Sequence, residues 1–322
     1  MIQWRGYSRS APAPVLALAL ALALALICAL LLGGATGCSN EASSATLGVE
    51  PTDKVGVLLV SHGSRSKRWR QMLLDVEQAV REPLLDMPEV EAVRSAFMEE
   101  SEPSITTQLK AFDREDFDAI ILVPVFLTVS SHSVNDIPTI VGMQSNPETL
   151  ERLTKEKIAI YRPQARVTLV PTLDFTTLLK DNVTARAERL IEQPEDTGVV
   201  LVAYGDARYN QQWEELMSEL GRALKAKLGI ETVAYAWCGH LVDYSPEPTQ
   251  RAIEQVLELE PRAAVLPLLV AYDPMFQDDV IGAAVEQSPR SDDILYRPDA
   301  ILPDENLHRW ILDIVQQTLV ES

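Results

Sequence analysis

The sequence predicts an α/β protein of two tandem three-layer αβα domains with mostly parallel sheets, facing each other across a cleft. Strand-length apolar runs such as Val55–Val60 and Ala119–Leu122 lack helical spacing, as strands covered on both faces do. Amphipathic stretches long enough for helices separate them, and neighbouring parallel strands require such crossovers. The whole pattern then recurs. Gly56-Val57-Leu58-Leu59-Val60-Ser61-His62-Gly63 returns as Gly198-Val199-Val200-Leu201-Val202-Ala203-Tyr204-Gly205. Glu102-Pro103-Ser104 returns as Glu247-Pro248-Thr249, Ala119–Leu127 as Ala263–Val270, and Tyr161-Arg162-Pro163 as Tyr296-Arg297-Pro298. Landmarks repeated in one order indicate duplication of a whole domain.

Residues 1–37 stand outside that repeat. Arg5 and Arg9 precede an uncharged run from Val15 to Leu32, and small residues lead directly to Cys38. This reads as a signal peptide with a lipobox, in which Cys38 is lipidated and becomes the mature N-terminus. An uncleaved membrane anchor is the other reading of the same run, which approaches spanning length. Both readings export the rest, and the lipoprotein reading places it on the periplasmic face of a membrane. Residues 38–53, small and acidic, form a tether.

The first repeat is expected to occupy 54–195 and the second 196–322. In the first, strands are expected at 55–60, near 90–97, at 118–127 and near 166–170. Helices are expected near 68–82, 103–113 and 175–191, with a long polar segment after the third strand.

The net charge of −19 excludes nucleic acid and an anionic bilayer face as partners. Of the three cysteines, Cys28 lies in the leader and Cys38 is the lipid site, which leaves Cys238 and no disulfide framework. Against the acidic background, Arg65, Lys67, Arg68 and Arg70 form a local basic cluster that suits a partner with several negative groups. The other reading of that cluster is a solvated first helical turn.

The chain has four histidines, His62, His132, His240 and His308. His62 ends the first strand and His132 follows the third, so in one parallel sheet both emerge at the carboxyl edge, where ligands of open α/β sheets gather. Glu99, past the second strand, emerges there too. Two imidazoles and a carboxylate suit a borderline divalent metal, and the same groups accept protons. Cys238 with His240 is a weak metal pair, His308 a surface residue, and the acidic stretch Glu148–Glu156 solvated surface.

Ser61-His62-Gly63-Ser64-Arg65, then Phe97-Met98-Glu99, then Val123–Leu127 with His132 and Asp136-Ile137-Pro138 resemble the CbiX-type sirohydrochlorin chelatases, a branch of the class II tetrapyrrole chelatases. The resemblance is close from Val55 to Pro138 and weaker over both repeats. It implies ATP-independent insertion of Co²⁺ or Fe²⁺, with Ni²⁺ a third candidate, into sirohydrochlorin or a related tetrapyrrole. The divalent metal is then a substrate, and no organic cofactor is needed. By the resemblance His62 and His132 hold the metal, and Glu99 assists as proton acceptor. Ser64, Arg65, Ser130 and Tyr204 are the residues expected to meet the tetrapyrrole, Arg65 by gripping its rim carboxylates. The family commonly has glycine near Ser130, and the chain from Pro138 to Arg166 is longer than the family norm.

In the second repeat Tyr204 stands for His62 and Met275 for His132, while Asp279 keeps the place of Asp136. One active site, in the first repeat, is therefore expected, with the second as an internal partner of a pseudo-dimeric monomer; a homo-oligomer is the other possibility. A non-catalytic periplasmic carrier for haem, another tetrapyrrole or a divalent metal is the alternative function, and an inactive interaction domain the third.

Overall fold

In the computed structural model, which describes residues 53–172 and 175–320, Val55–Ser61 forms strand β1 and is buried at every position. Its side chains alternate between two cores, with Val55, Val57 and Leu59 in one and Leu58 and Val60 in the other. A strand with two covered faces has no position for a polar side chain, hence the unbroken apolar run.

The first half continues through α1 (Lys67–Leu85), β2 (Val90–Phe97), α2 (Ile105–Arg114) and β3 (Ala119–Pro124). A π-helical turn at His132–Asp136 leads to α3 (Ile137–Ile140), α4 (Pro147–Lys155), β4 (Arg166–Leu169) and α5 (Phe175–Leu190). The second half has β5 (Thr197–Ala203), α6 (Asn210–Leu228), β6 (Val233–Trp237), α7 (Glu247–Leu257) and β7 (Arg262–Leu268). A second π-helical turn, Met275–Gly282, precedes α8 (Ala283–Glu286), β8 (Ile294–Tyr296) and α9 (Glu305–Val320). The leader, Cys38 and the tether up to residue 52 lie outside the described residues.

The strands form two four-stranded sheets of the same order, β2-β1-β3-β4 and β6-β5-β7-β8. Every pairing within them is parallel. The chain leaves β1 to one side for β2 and returns to the other for β3. A reversal of this kind opens a crevice at the carboxyl ends of the strands, where a ligand can enter.

The last helix of each half is exchanged between them. α5 packs on α6 and β7 of the second half, and α9 packs on α1 and β3 of the first. One cluster of buried residues therefore runs from Val57 and Leu59 through Leu179 and Val183 of α5, Leu201 and Leu220, to Ile311 and Val315 of α9. Burying a side chain of this size contributes about 1.5–3 kcal/mol, so pulling the halves apart would expose apolar surface on both.

Three local readings change in the structure. The third strand ends at Pro124, well before 127, although the amide of Val125 still donates to the Val60 carbonyl at 2.7 Å. The long polar segment contains helices, because Asn146 caps α4 by accepting from the amides of Glu148 and Thr149 and Pro147 occupies its first turn. The Tyr-Arg-Pro landmarks are not equivalent: Tyr161 lies upstream of β4, whereas Tyr296 is the last residue of β8. Tyr161 bonds Asp113 at 2.7 Å and Tyr296 bonds the Gln277 carbonyl, so the two tyrosines do different structural work.

Candidate metal site at the junction of the repeats

The site begins where β1 ends. Past Ser61 the parallel ladder continues for two more bonds, from the amide of Met98 to the Ser61 carbonyl at 2.8 Å and from the amide of Glu99 to the His62 carbonyl at 2.9 Å. This register sets Glu99 beside His62, with Glu99 Oε1 3.0 Å from His62 Nε2. Gly63 makes the approach possible. Its φ is +103°, and a Cβ there would lie 1.9 Å from the Glu99 carbonyl oxygen.

Both ring nitrogens of His62 face oxygen, since Nδ1 lies 3.0 Å from the Gly63 carbonyl. Burial by itself would lower the pKa of His62. The hydrogen bond and charge of Glu99, with the Gly63 carbonyl, outweigh burial and hold the imidazole above its ordinary 6.5. Burial would likewise raise Glu99, but its bond to His62 and the nearby His132 and Arg152 keep the carboxyl below 4.5.

His132 opens the π-helical turn, and its ring centroid lies 4.8 Å from that of His62, with the planes at 76°. Its Nδ1 is 2.7 Å from Oδ2 of Asp136 one turn on. Asp136 is fully buried, and its other oxygen accepts from Arg152 of α4. A carboxylate at Nδ1 places the ring proton there and leaves the Nε2 lone pair for a ligand. Among the described residues no group of three or more His, Cys, Asp or Glu side chains is spaced as a closed metal cage. What converges is a pair of imidazoles, each bonded to its own carboxylate.

The second repeat meets this edge through two matching contacts. The amide of Ser131, next to His132, donates to Oδ2 of Asp206 at 3.0 Å, and Ser64 Oγ donates to Oδ2 of Asp273 at 2.5 Å. Each joins the loop after the first strand of one half to the loop after the third strand of the other. Gly239 donates to the Tyr204 carbonyl at 3.1 Å, as Glu99 does to His62, so the second half has Tyr204 for His62 and Gly239 for Glu99. The Tyr204 ring fills the space a side chain at 239 would need, 2.8 Å from a Cβ built there. It lies 5.5 Å from the His240 ring and 5.6 Å from Phe276, and burial followed by the Tyr244 hydroxyl raises its phenol pKa.

Of the expected site residues, the structure brings His62, Glu99 and His132 together. Three others, Ser130, Ser64 and Arg65, have different surroundings from those the sequence suggests. Ser130 is only 7% exposed, and its hydroxyl accepts from the amide of Ser133 at 3.4 Å. Ser64 is committed to Asp273. The Arg65 side chain, 86% exposed, pairs with Glu100 at 2.6 Å. Tyr204 remains at the cleft side of the second sheet with its aromatic neighbours.

In the rest of the basic cluster Lys67 is exposed, Arg68 lies over the Tyr272 ring at 3.8 Å, and Arg70 donates to the Ser64 carbonyl at 2.5 Å. Cys238 is fully buried, and burial pushes its thiol up to about 12, so it stays protonated while His240 is exposed. Asp279 is exposed, unlike Asp136. His308 is half-buried, and burial lowers its pKa. Arg152 and Asp206 were hidden from the sequence reading. The only signals were a cation inside an acidic stretch and an Asp two residues before Arg208, the spacing of a turn that bonds its own backbone.

Residues 56–190 match the CbiX family. The sirohydrochlorin cobaltochelatase of Methanopyrus kandleri is 37% identical over 90 residues, which is 28% of this chain and 60% of that protein. Among solved structures, the sirohydrochlorin chelatase SirB from Bacillus subtilis subspecies spizizenii, in complex with cobalt, has the same fold. It aligns with a TM-score of 0.56 and 17% identity over 83% of this chain and 95% of its own. The sirohydrochlorin cobaltochelatase of Methanococcoides burtonii is 31% identical over 136 residues, 42% of this chain and 96% of that protein. With nearly the whole length of that relative covered at this identity, the chain belongs to the CbiX-type family of metal chelatases.

Proposed function

We propose that the protein inserts Co²⁺ or Fe²⁺ into sirohydrochlorin or a closely related tetrapyrrole without ATP, using His62 and His132 as metal ligands and Glu99 with His62 as proton acceptors. The observation that carries this reading is the pair of imidazoles 4.8 Å apart at the carboxyl edge of one sheet, each backed by a carboxylate. The names of the relatives supply the substrate class.

Both nitrogens of His62 face acceptors and its pKa is raised, so the metal-free pair with Glu99 stores a proton. An arriving divalent ion takes the Nε2 lone pair of His132 and displaces the Nε2 proton of His62, which leaves to solvent. On transfer to the macrocycle, two pyrrole N–H groups lose their protons as the metal–nitrogen bonds form. Glu99 and the released His62 are the nearest groups to receive them. The charge balances without a redox step: one divalent ion enters and two protons leave. Weak, exchangeable ligation suits delivery better than a closed cage would.

The leader and Cys38 are the basis for proposing an exported lipoprotein on the periplasmic face. No described helix is long and apolar enough to cross a membrane.

The test mixes full-length protein in detergent, freed of metal by chelator and then desalted, with sirohydrochlorin and either ion under anaerobic, nucleotide-free conditions. Spectral conversion well above the protein-free rate is expected. A bound-tetrapyrrole spectrum with no metal insertion by either ion would refute the chelatase reading and favour a carrier.

A further inference from the structure

Beside His132, where the two halves meet, lies a cavity of about 250 Å³ lined by Ser131, Asn135 and Arg152 from the first half and by Asp206, Arg208 and His240 from the second. Glu148 and Thr149 of α4 close another side. We infer that this cavity is a carboxylate subsite for the macrocycle, with Arg208 and His240 as its free donors. The inference rests on the tetrapyrrole substrate proposed above.

The charges in the cavity are not equivalent. Asp206 is 7% exposed, and its oxygens accept from the amides of Ser131 at 3.0 Å, Arg208 at 2.9 Å and Tyr209 at 3.2 Å. Its negative charge is therefore met by backbone donors, and those bonds fix the Arg208 loop against the residue preceding His132. Arg152 is met by Asp136 and Glu156. The guanidinium of Arg208 makes no hydrogen bond or ion pair among the described residues, and His240 is exposed. Glu148 is also exposed and can turn to water.

A chain of net charge −19 thus keeps an uncommitted arginine and an exposed histidine in a cavity lined by Ser131, the residue before His132. An acidic protein that binds a macrocycle with carboxylate arms needs at least one cation left free to meet them. A guanidinium captures a carboxylate with two parallel bonds. The volume far exceeds the roughly 30 Å³ share of one water, enough for a short carboxyalkyl arm with its hydration. Arg65, already paired with Glu100 and largely in solvent, is a poorer candidate for the same task.

The test titrates sirohydrochlorin into the full-length protein in detergent with chelator present, so that binding is read without metal. Arg208→Gln, Arg208→Glu and Arg208→Lys are compared with the unaltered protein, with the thermal midpoint as a check on folding. The dissociation constant is expected to rise about tenfold in Arg208→Gln, the scale of one lost charge-assisted contact. It rises further in Arg208→Glu and recovers in part in Arg208→Lys, while Co²⁺ affinity in the absence of macrocycle is unchanged in all three. Binding within about twofold of the unaltered protein in both Arg208→Gln and Arg208→Glu overturns the inference, since surface substitutions without a role shift affinities by no more than that. If the unaltered protein binds the macrocycle but inserts no metal, the chelatase reading fails, and the subsite is judged by the same titration. If it binds no macrocycle, both fail.

Discussion

Replacing Asp136 by Asn tests how His132 is held. The aspartate is fully buried, with one oxygen 2.7 Å from His132 Nδ1 and the other on Arg152. In Asp136→Asn a single neutral carbonyl oxygen must serve both donors. A hydrogen bond to a charged group contributes about 1.5–3 kcal/mol and a neutral one about 0.5–1.5, so the orientation of His132 weakens by about 1–2 kcal/mol. At 1.4 kcal/mol per tenfold, metal affinity falls about fivefold to thirtyfold, overlapping the loss of about 10- to 100-fold common for residues that support metal ligands. The effect on folding is smaller. The Arg152 side chain keeps 37% of its surface exposed and can return to water, so the cost stays below the roughly 3–5 kcal/mol of stranding a buried charge. The assay is competition for Co²⁺ against a chromophoric chelator without macrocycle. Affinity unchanged to within about twofold, in a variant that unfolds like its parent, would refute the proposed role of Asp136.

The pair of His62 and Glu99 has a pH signature. A raised histidine stabilises the fold fully below its unfolded value of 6.5, and that contribution is lost as pH rises through the folded value. A lowered carboxylate contributes above 4.5, and that contribution is lost as pH falls through its folded value. The thermal-midpoint difference between the parent and Glu99→Gln is therefore expected to be largest between pH 4.5 and 6.5 and to shrink on both sides; a difference flat with pH contradicts it. Gly63→Ala adds a Cβ against the Glu99 carbonyl at a φ that L residues avoid. It should cost at least about 1–3 kcal/mol and reduce metal insertion with it, so parent-like unfolding and insertion would show that the close approach does not matter. Ile311→Ala empties a fully buried site in the core shared by both halves. It is expected to destabilise by about 2–5 kcal/mol in one transition, seen alike by circular dichroism and tryptophan fluorescence; two separate transitions would refute the exchanged-helix core.

Strands covered on both faces announce themselves as unbroken apolar runs, which is why β1, β3 and β5 were legible together with the presence of a second sheet of the same order. The positions of His62, Glu99 and His132 followed from sheet logic, because each lies past the end of a strand in one parallel sheet. Contacts between distant segments were not legible. Arg152 reaches Asp136 from α4, and Asp206 reaches Ser131 across the repeat boundary, and neither pairing leaves a periodic trace. The apolar face of α5 is visible in the sequence, but its packing on the other half is set by the three-dimensional path of the chain. Arg65 shows the same limit, since the ion pair it makes with Glu100 and the stacking of Arg68 on Tyr272 join segments whose approach the sequence does not record.

The central claim is that the two imidazoles act on one metal ion. Rates of Co²⁺ or Fe²⁺ insertion into sirohydrochlorin, measured anaerobically for the parent, His62→Ala, His132→Ala and the double variant, test it most directly. Residues that work as a unit lose nearly everything when either is removed. Each single variant is therefore predicted to fall close to the protein-free rate, with the double variant no slower than the singles. Parent-like insertion in either single variant, or losses that multiply in the double variant, would contradict a shared metal site.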